Sequence, residues 1–171
     1  VWALRLGDGS TQVVLGADMD DPSTVGRFSP GPGSEKWRIE TKSYDVDWPE
    51  GYVIKSTSPG APWPFEYHGF GERVGDMIML RGPLQGAKQV PTPPDLVADG
   101  QELVDQDMNS KTPWMEVRYE FEGVTWRQRH FYALIAPETV VLVTAQAPET
   151  RSSKVAKDGE MIALSIRPRS P

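Results

Sequence analysis

Two histidines are the only side chains in this sequence whose ordinary pKa suits a base near neutral pH, and they sit in different company. His68 lies in Trp63-Pro-Phe-Glu-Tyr-His-Gly-Phe70, two residues after Glu66 and four before Glu72. A carboxylate that close can orient an imidazole, so hydrolysis by His68 with Glu66 or Glu72 is one chemical reading. His130 falls on an alternating run that sets it on the face of Met115 and Trp126, where a satisfied structural histidine is the commoner outcome. Neither histidine has a Ser and Asp pattern that would complete a triad, and there is no G-x-S-x-G.

The other groups that could do chemistry have plainer explanations. With zero cysteines there is no thiolate nucleophile, no disulfide framework and no Cys-based zinc site. Asp18-Met-Asp-Asp21 has the acidity of a calcium loop but lacks its glycine and its distal bidentate Glu, and reads as a solvated acidic loop. Glu116, Glu120 and Glu122 share a strand face, and the arginines opposite account for them without a catalytic carboxylate pair. No glycine-rich phosphate loop follows a strand. The chain is expected to be a non-enzyme without metal or cofactor.

What remains is the aromatic stretch. Trp63, Phe65, Tyr67 and Phe70 surround His68, and Pro62 and Pro64 stiffen the backbone, which suits a preorganised contact surface. Trp63 and Phe65 would be its anchors, with Tyr67 and His68 as polar edges and Phe70 beside them. Equally, the same rings could fold back to plug one end of a sheet.

The elements that must position these groups are mostly strands. Met115-Glu-Val-Arg-Tyr-Glu-Phe121 alternates strictly, the mark of a half-buried antiparallel strand. Glu122-Gly123 is a two-residue turn signal, and Val124 to Ile135 runs back. That register sets Phe121 opposite Val124, Tyr119 opposite Trp126, Met115 opposite His130, and Arg118 opposite Arg127. Val140 to Ala145 is apolar on both parities, as in a central strand covered on both faces. Met77 to Leu80 reads as a short strand stopping at Arg81-Gly-Pro83. Trp37 and Ile39 fall on one parity and Tyr44, Val46 and Trp48 on the other, so a bend or bulge is expected near Lys42.

Two helices are expected. Pro94 to Asn109 carries Val97, Val104 and Met108 at spacings of seven and four, and a closing helix over 152–166 would be capped by Ser152 or Ser153. Residues 16–35 and 56–71 are rich in Pro and Gly and read as loops. Trp2-Ala-Leu-Arg-Leu6, Gly7-Asp-Gly9 and Val13-Val-Leu15 suggest a hairpin. The chain is thus divided at 1–36, a hairpin with a Gly/Pro-rich linker, and 37–171, the main domain. Trp2 and Leu4 would let the hairpin act as an assembly arm, adding to a partner's sheet.

Composition bounds the partners. The chain has 171 residues, 38% hydrophobic and 25% charged, enough for one self-standing core. Six Trp, 16 Gly and 16 Pro favour many turns and few long helices. A net charge of −6 argues against nucleic acid, which calls for cations against its phosphates. No apolar run is long enough to span a membrane, though peripheral association stays open. The first residue is Val1, which leaves both a processed precursor and a trimmed chain open.

Taken together, Tyr44-Asp-Val-Asp-Trp-Pro-Glu-Gly-Tyr52, Met79-Leu-Arg-Gly-Pro83, and Arg129-His-Phe-Tyr132 running on through Val140–Pro148 to Ser165-Ile-Arg-Pro168 resemble the PsbP-like superfamily. That superfamily takes in the Mog-type import factor, DcrB-like exported bacterial proteins and Eag-type secretion chaperones. The resemblance covers residues 37–168. It implies an α+β sandwich, a twisted and mainly antiparallel sheet with helices packed on it, and no shared catalytic residues. Members mostly bind, adapt or stabilise partners. The expected function is therefore a non-catalytic protein-binding or scaffolding domain, an accessory subunit of a larger assembly, with export favoured over the cytoplasm. The alternatives are a cytoplasmic Eag-like chaperone of type VI secretion that shields a hydrophobic segment, and a hydrolase using His68.

Overall fold

Val140 to Ala145 is apolar on both parities because both of its faces are covered. The structure is a computed structural model that describes residues 2–5, 11–14, 27–30, 36–41, 43–56 and 66–169. The chain order is β1 (Trp2–Arg5), β2 (Thr11–Val14), β3 (Arg27–Pro30), β4 (Lys36–Glu40), β5 (Tyr44–Pro49), β6 (Val53–Ser56), β7 (Glu66–Phe70) and β8 (Met77–Gln85). There follow β9 (Gln101–Asp107), β10 (Trp114–Phe121), β11 (Val124–Ala136), β12 (Thr139–Pro148), α1 (Glu149–Ser165) and β13 (Arg167–Pro168). Among the described residues they form two sheets, one in the order β2-β1-β6-β7-β8-β12-β11-β10-β9 and one in the order β13-β5-β4-β3. Every pairing is antiparallel.

On one face of the large sheet, Val141, Val143, Ala145 and Ala147 of β12 join Phe131, Ile78, Leu80 and Tyr67 in the main core. Ile39, Tyr44, Val46 and Trp48 of the small sheet and Val155, Ile162 and Ala163 of α1 close it. Each large apolar side chain buried there stabilises the fold by about 1.5–3 kcal/mol. The opposite parity of β12, Val140 and Leu142, meets Leu84, Met115, Val117 and Tyr132 in a second core. Val90, Leu96 and Val97, from the segment between β8 and β9, cover that one. The architecture is the expected α+β one: antiparallel sheets with a helix packed on them.

The β10–β11 hairpin keeps the expected register, with Phe121↔Val124, Tyr119↔Trp126, Met115↔His130 and Arg118↔Arg127. Glu122 and Gly123 have φ of 50° and 74°, the paired left-handed conformation whose twist matches the strands. α1 lies close on β11 and β12 because Gly159 leaves room. A Cβ there would stand 2.9 Å from the Ala145 Cβ and 3.1 Å from the Phe131 ring.

Other expectations are corrected. Pro94–Asn109 is not a helix: one 3-10 turn, Pro93–Leu96, gives way to β9. Asp95 bonds back to Thr92, and Gly100 at φ 81° turns the chain out of any helix. Gln101 to Asp107 then pairs along β10, slipping register where Val104 stands as an extra residue. The seven-and-four spacing had matched a helix only by coincidence. α1 begins at Glu149 rather than 152, with Pro148 rather than a serine at its N-cap position, because β12 runs straight into it. Ser152 Oγ instead donates to the Glu149 carbonyl (3.0 Å).

The stretch 56–71 contains β7, whose Tyr67 and Gly69 face the core, and the stretch 16–35 contains β3, paired to β4. The parity change near Lys42 is a chain reversal and not a bulge: β4 and β5 pair as Ile39↔Val46, and the Thr41 hydroxyl donates to the Tyr44 carbonyl (2.8 Å). β8 continues past Arg81 to Gln85. It passes Gly82, φ 138°, where a Cβ would lie 2.9 Å from the Val140 carbonyl oxygen. The register slips at this point, which is why Leu80 belongs to the main core and Leu84 to the second.

Candidate interaction surface

The pairing of β7, β8, β12 and β11 places His68, Met79, Thr144 and His130 in one row on the sheet face turned away from α1. Three strand spacings separate the two histidines, roughly 14 Å, too far for them to share a proton. His130 is buried, 3% exposed, with Nδ1 2.8 Å from the Thr144 hydroxyl. Burial, helped by the nearby Arg81 charge, pushes its pKa down to about 3, so the ring is neutral. His68 Nε2 contacts the Glu66 carboxylate, and Glu66 stands directly opposite Arg81. Burial pulls the Arg81 pKa down while Glu66 pulls it up. Glu72 lies elsewhere, in the loop after β7, so the sheet joins His68 to Glu66 alone.

The residues expected to contact a partner are dispersed. Trp63 and Phe65 lie outside the described residues. Tyr67, 1% exposed, is in the main core. His68 is half-buried on the opposite face, and Phe70 is exposed beside it with the two rings edge to face at 6.2 Å. Trp2 and Leu4 belong to β1, whose backbone pairs with β2 (Trp2↔Val14, Leu4↔Gln12) and with β6 (Trp2↔Lys55).

A cleft of about 690 Å³ runs between the β7–β8 loop and the start of α1, lined by Glu50, Tyr52, Glu72, Arg73, Asp76, Arg151 and Lys154. Its charges tie the loop to the helix. Arg151 grips Asp76 (Nη2–Oδ1 2.8 Å) and donates to the Val74 carbonyl (3.0 Å). The Tyr52 hydroxyl donates to Asp158 (2.7 Å), which Lys154 also reaches (2.7 Å). Burial, then the Asp158 bond, raises the Tyr52 pKa, so its proton stays in place. A smaller apolar hollow of about 410 Å³ lies between Val90, Pro91, Met108 and Tyr132. The Tyr132 hydroxyl closes one side by donating to the Pro91 carbonyl (3.1 Å).

Several exposed apolar side chains gather at the far end of the large sheet. Phe121 and Val124, directly opposed at the hairpin tip, are 57% and 43% exposed, and Leu103 and Val104 on the edge strand β9 are 45% and 41% exposed. The register puts Leu103, Tyr119, Trp126, Phe121 and Val124 on one face. The Tyr119 and Trp126 rings are parallel within 10° at 6.4 Å, and Trp126 packs on Gly75, where a Cβ would sit 2.3 Å from the indole. The opposite face of the hairpin is charged: Arg118 meets Glu102 (3.2 Å), and Arg127 meets both Glu116 (3.0 Å) and Glu149 (2.5 Å). Sequence reasoning missed this surface because it took β9 for a helix. The available signal was a large apolar pair flanking the Glu122-Gly123 turn, where a sheet outruns its core.

Among the described residues, no group of three or more His, Asp or Glu is placed to hold a metal, and no helix is long and apolar enough to cross a membrane. No family model matches the chain, and no curated protein does. Solved structures do. A crystal structure from Bacteroides thetaiotaomicron VPI-5482 is similar over 85% of this chain at 12% identity and a TM-score of 0.46; the match covers 49% of that protein, so this chain spans about half its length. The solution structure of cyanobacterial PsbP (CyanoP) from Synechocystis sp. PCC 6803 is similar over 84% of this chain and 98% of its own, with 10% identity and a TM-score of 0.51. At that identity the likeness is one of fold, and the fold of this chain is PsbP-like.

Proposed function

We propose that this chain is a non-catalytic protein-binding domain, an accessory part of a larger assembly. One observation carries the reading: Phe121 and Val124 stand in water at the tip of the β10–β11 hairpin, and Leu103 and Val104 are exposed further along, on the neighbouring edge strand β9. Exposed apolar groups gathered on one face, rather than scattered, mark contact sites. Other polar groups that a hydrolase could use are engaged elsewhere: His130 is buried and neutral, and the cleft's Arg151 and Lys154 are bound to Asp76 and Asp158. The His68–Glu66 pair is the arrangement the hydrolase alternative would use, and the test below includes it. The sequence resemblance to PsbP-like proteins carries the same expectation. The proposal keeps Trp63, Phe65, His68 and Phe70 and the Trp2 and Leu4 positions as further partner contacts; Tyr67, buried in the main core, is not among them.

The test is capture from the native source followed by mass spectrometry, with wild type beside a Phe121→Ser, Val124→Ser variant. A partner held by the wild type and lost by the variant is the expected result. If no partner is held specifically, and a hydrolase screen instead finds turnover that His68→Ala abolishes, the proposal fails.

A further inference from the structure

We infer that the surface formed by β9 and the β10–β11 tip takes a basic, apolar-rich extended segment of a partner protein. The inference rests on the protein-binding reading above and names the partner's chemistry.

The apolar component is Leu103, Tyr119, Phe121 and Val124, which the register places on one face at the free end of the sheet. The charge component lies along the edge. Between Lys88 and Lys111 the sequence holds no Lys or Arg, yet Asp95, Asp99, Glu102, Asp105 and Asp107 fall there. Glu102 is met by Arg118, and Asp95 is bound to Thr92. Among the described residues no cation meets Asp99, Asp105 or Asp107, which act only locally where Asp105 accepts from the Gln106 N–H (2.8 Å) and Asp107 from the Asn109 N–H (3.0 Å). Apolar side chains with uncompensated carboxylates along one rim complement an occupant that alternates apolar residues with Lys or Arg.

The same charges select against the other occupants. A second copy would bring β9 against β9 or against another acidic face of a chain carrying −6, setting like charges together. An anionic lipid surface or nucleic acid meets the same repulsion. The Asp-rich edge and its bulge at Val104 also discourage indiscriminate strand pairing, so an occupant has to bring the matching cations.

The experiment titrates the intact chain with a synthetic Lys-Val-Lys-Phe-Lys-Val-Lys peptide and its Glu-for-Lys counterpart, following backbone amide shifts by NMR at low and at physiological salt. The expected result is binding of the Lys peptide alone, with shifts concentrated on residues 101–107 and 119–126. Affinity should fall at least about tenfold in an Asp105→Lys, Asp107→Lys variant, and should weaken with salt as exposed charges do. Both substituted residues are exposed, so folding is checked by melting temperature alone. Equal binding of the two peptides, shifts elsewhere, or an unchanged affinity in the variant overturns the inference. So does a dimer in sedimentation that the variant abolishes, which would make the occupant a second copy. If the native partner is still captured by the charge-reversed chain, this inference fails while the protein-binding reading stands. If no partner is captured by any form and turnover that His68→Ala abolishes is found instead, both fall.

Discussion

Arg118 and Arg127 face each other directly across β10 and β11, and three carboxylates make that pairing tolerable. Glu102 holds Arg118, Glu149 at the start of α1 holds one side of Arg127, and Glu116 holds the other. Glu116 also binds Arg129 (2.7 Å), whose guanidinium lies 4.1 Å over the Trp114 ring. Buried Glu116 therefore offsets two positive charges, and Arg127 joins the hairpin to the helix through Glu149.

Glu116→Gln should destabilise the domain by about 1–3 kcal/mol, less than a fully buried pair would cost because both arginines keep partial contact with water. Urea unfolding midpoints would measure it. A change below about 0.5 kcal/mol would mean that the arginines simply turn to solvent.

His130 gives a pH dependence of defined sign. Its pKa is about 3 in the fold and about 6.5 in an unfolded chain. Between those values the unfolded state takes up a proton that the folded state refuses. Stability therefore falls as pH drops below about 6.5, by up to about 1.4 kcal/mol per pH unit from this group, until the folded ring protonates. His130→Gln should flatten the curve of unfolding free energy between about pH 6 and 4, whatever it does to the absolute value. An unchanged slope would show that His130 is not buried neutral.

Gly69 of β7 lets Trp48 of the small sheet pack close against the large one. A Cβ on Gly69 would stand 2.4 Å from the Trp48 ring, and Trp48 is fully buried. Gly69→Ala should cost about 1–3 kcal/mol by overpacking and alter the near-ultraviolet dichroism of the buried indole. A variant with native stability and spectrum would refute the close approach of β5 to β7.

Phe121 and Val124 should behave in the opposite way. Replacing both with Ser removes no core contact, so the melting temperature should stay near the wild-type value, a change within about 0.5 kcal/mol. Partner binding should weaken by about 2 kcal/mol or more if these side chains are anchors. Unfolding of the double variant would instead make the tip part of the core.

The sequence by itself determined those parts of the protein whose contacts are close along the chain. Met115 to Ile135 could be read to the residue because its alternation, its Glu122-Gly123 turn and its register are properties of one hairpin. Val140 to Ala145 announced two covered faces because both parities are apolar. Tertiary structure decided the rest. Gln101 to Asp107 has side chains compatible with either period, and it is a strand because β10 offers an unpaired edge and Gly100 ends the preceding turn. Tyr67 goes inward because β7 is held between β6 and β8, a placement nothing within the aromatic stretch encodes. The exposure of Phe121 and Val124 follows from how far the covering layers reach along the sheet. That limit is set by segments distant in sequence, so only the assembled fold shows which apolar residues are left facing water.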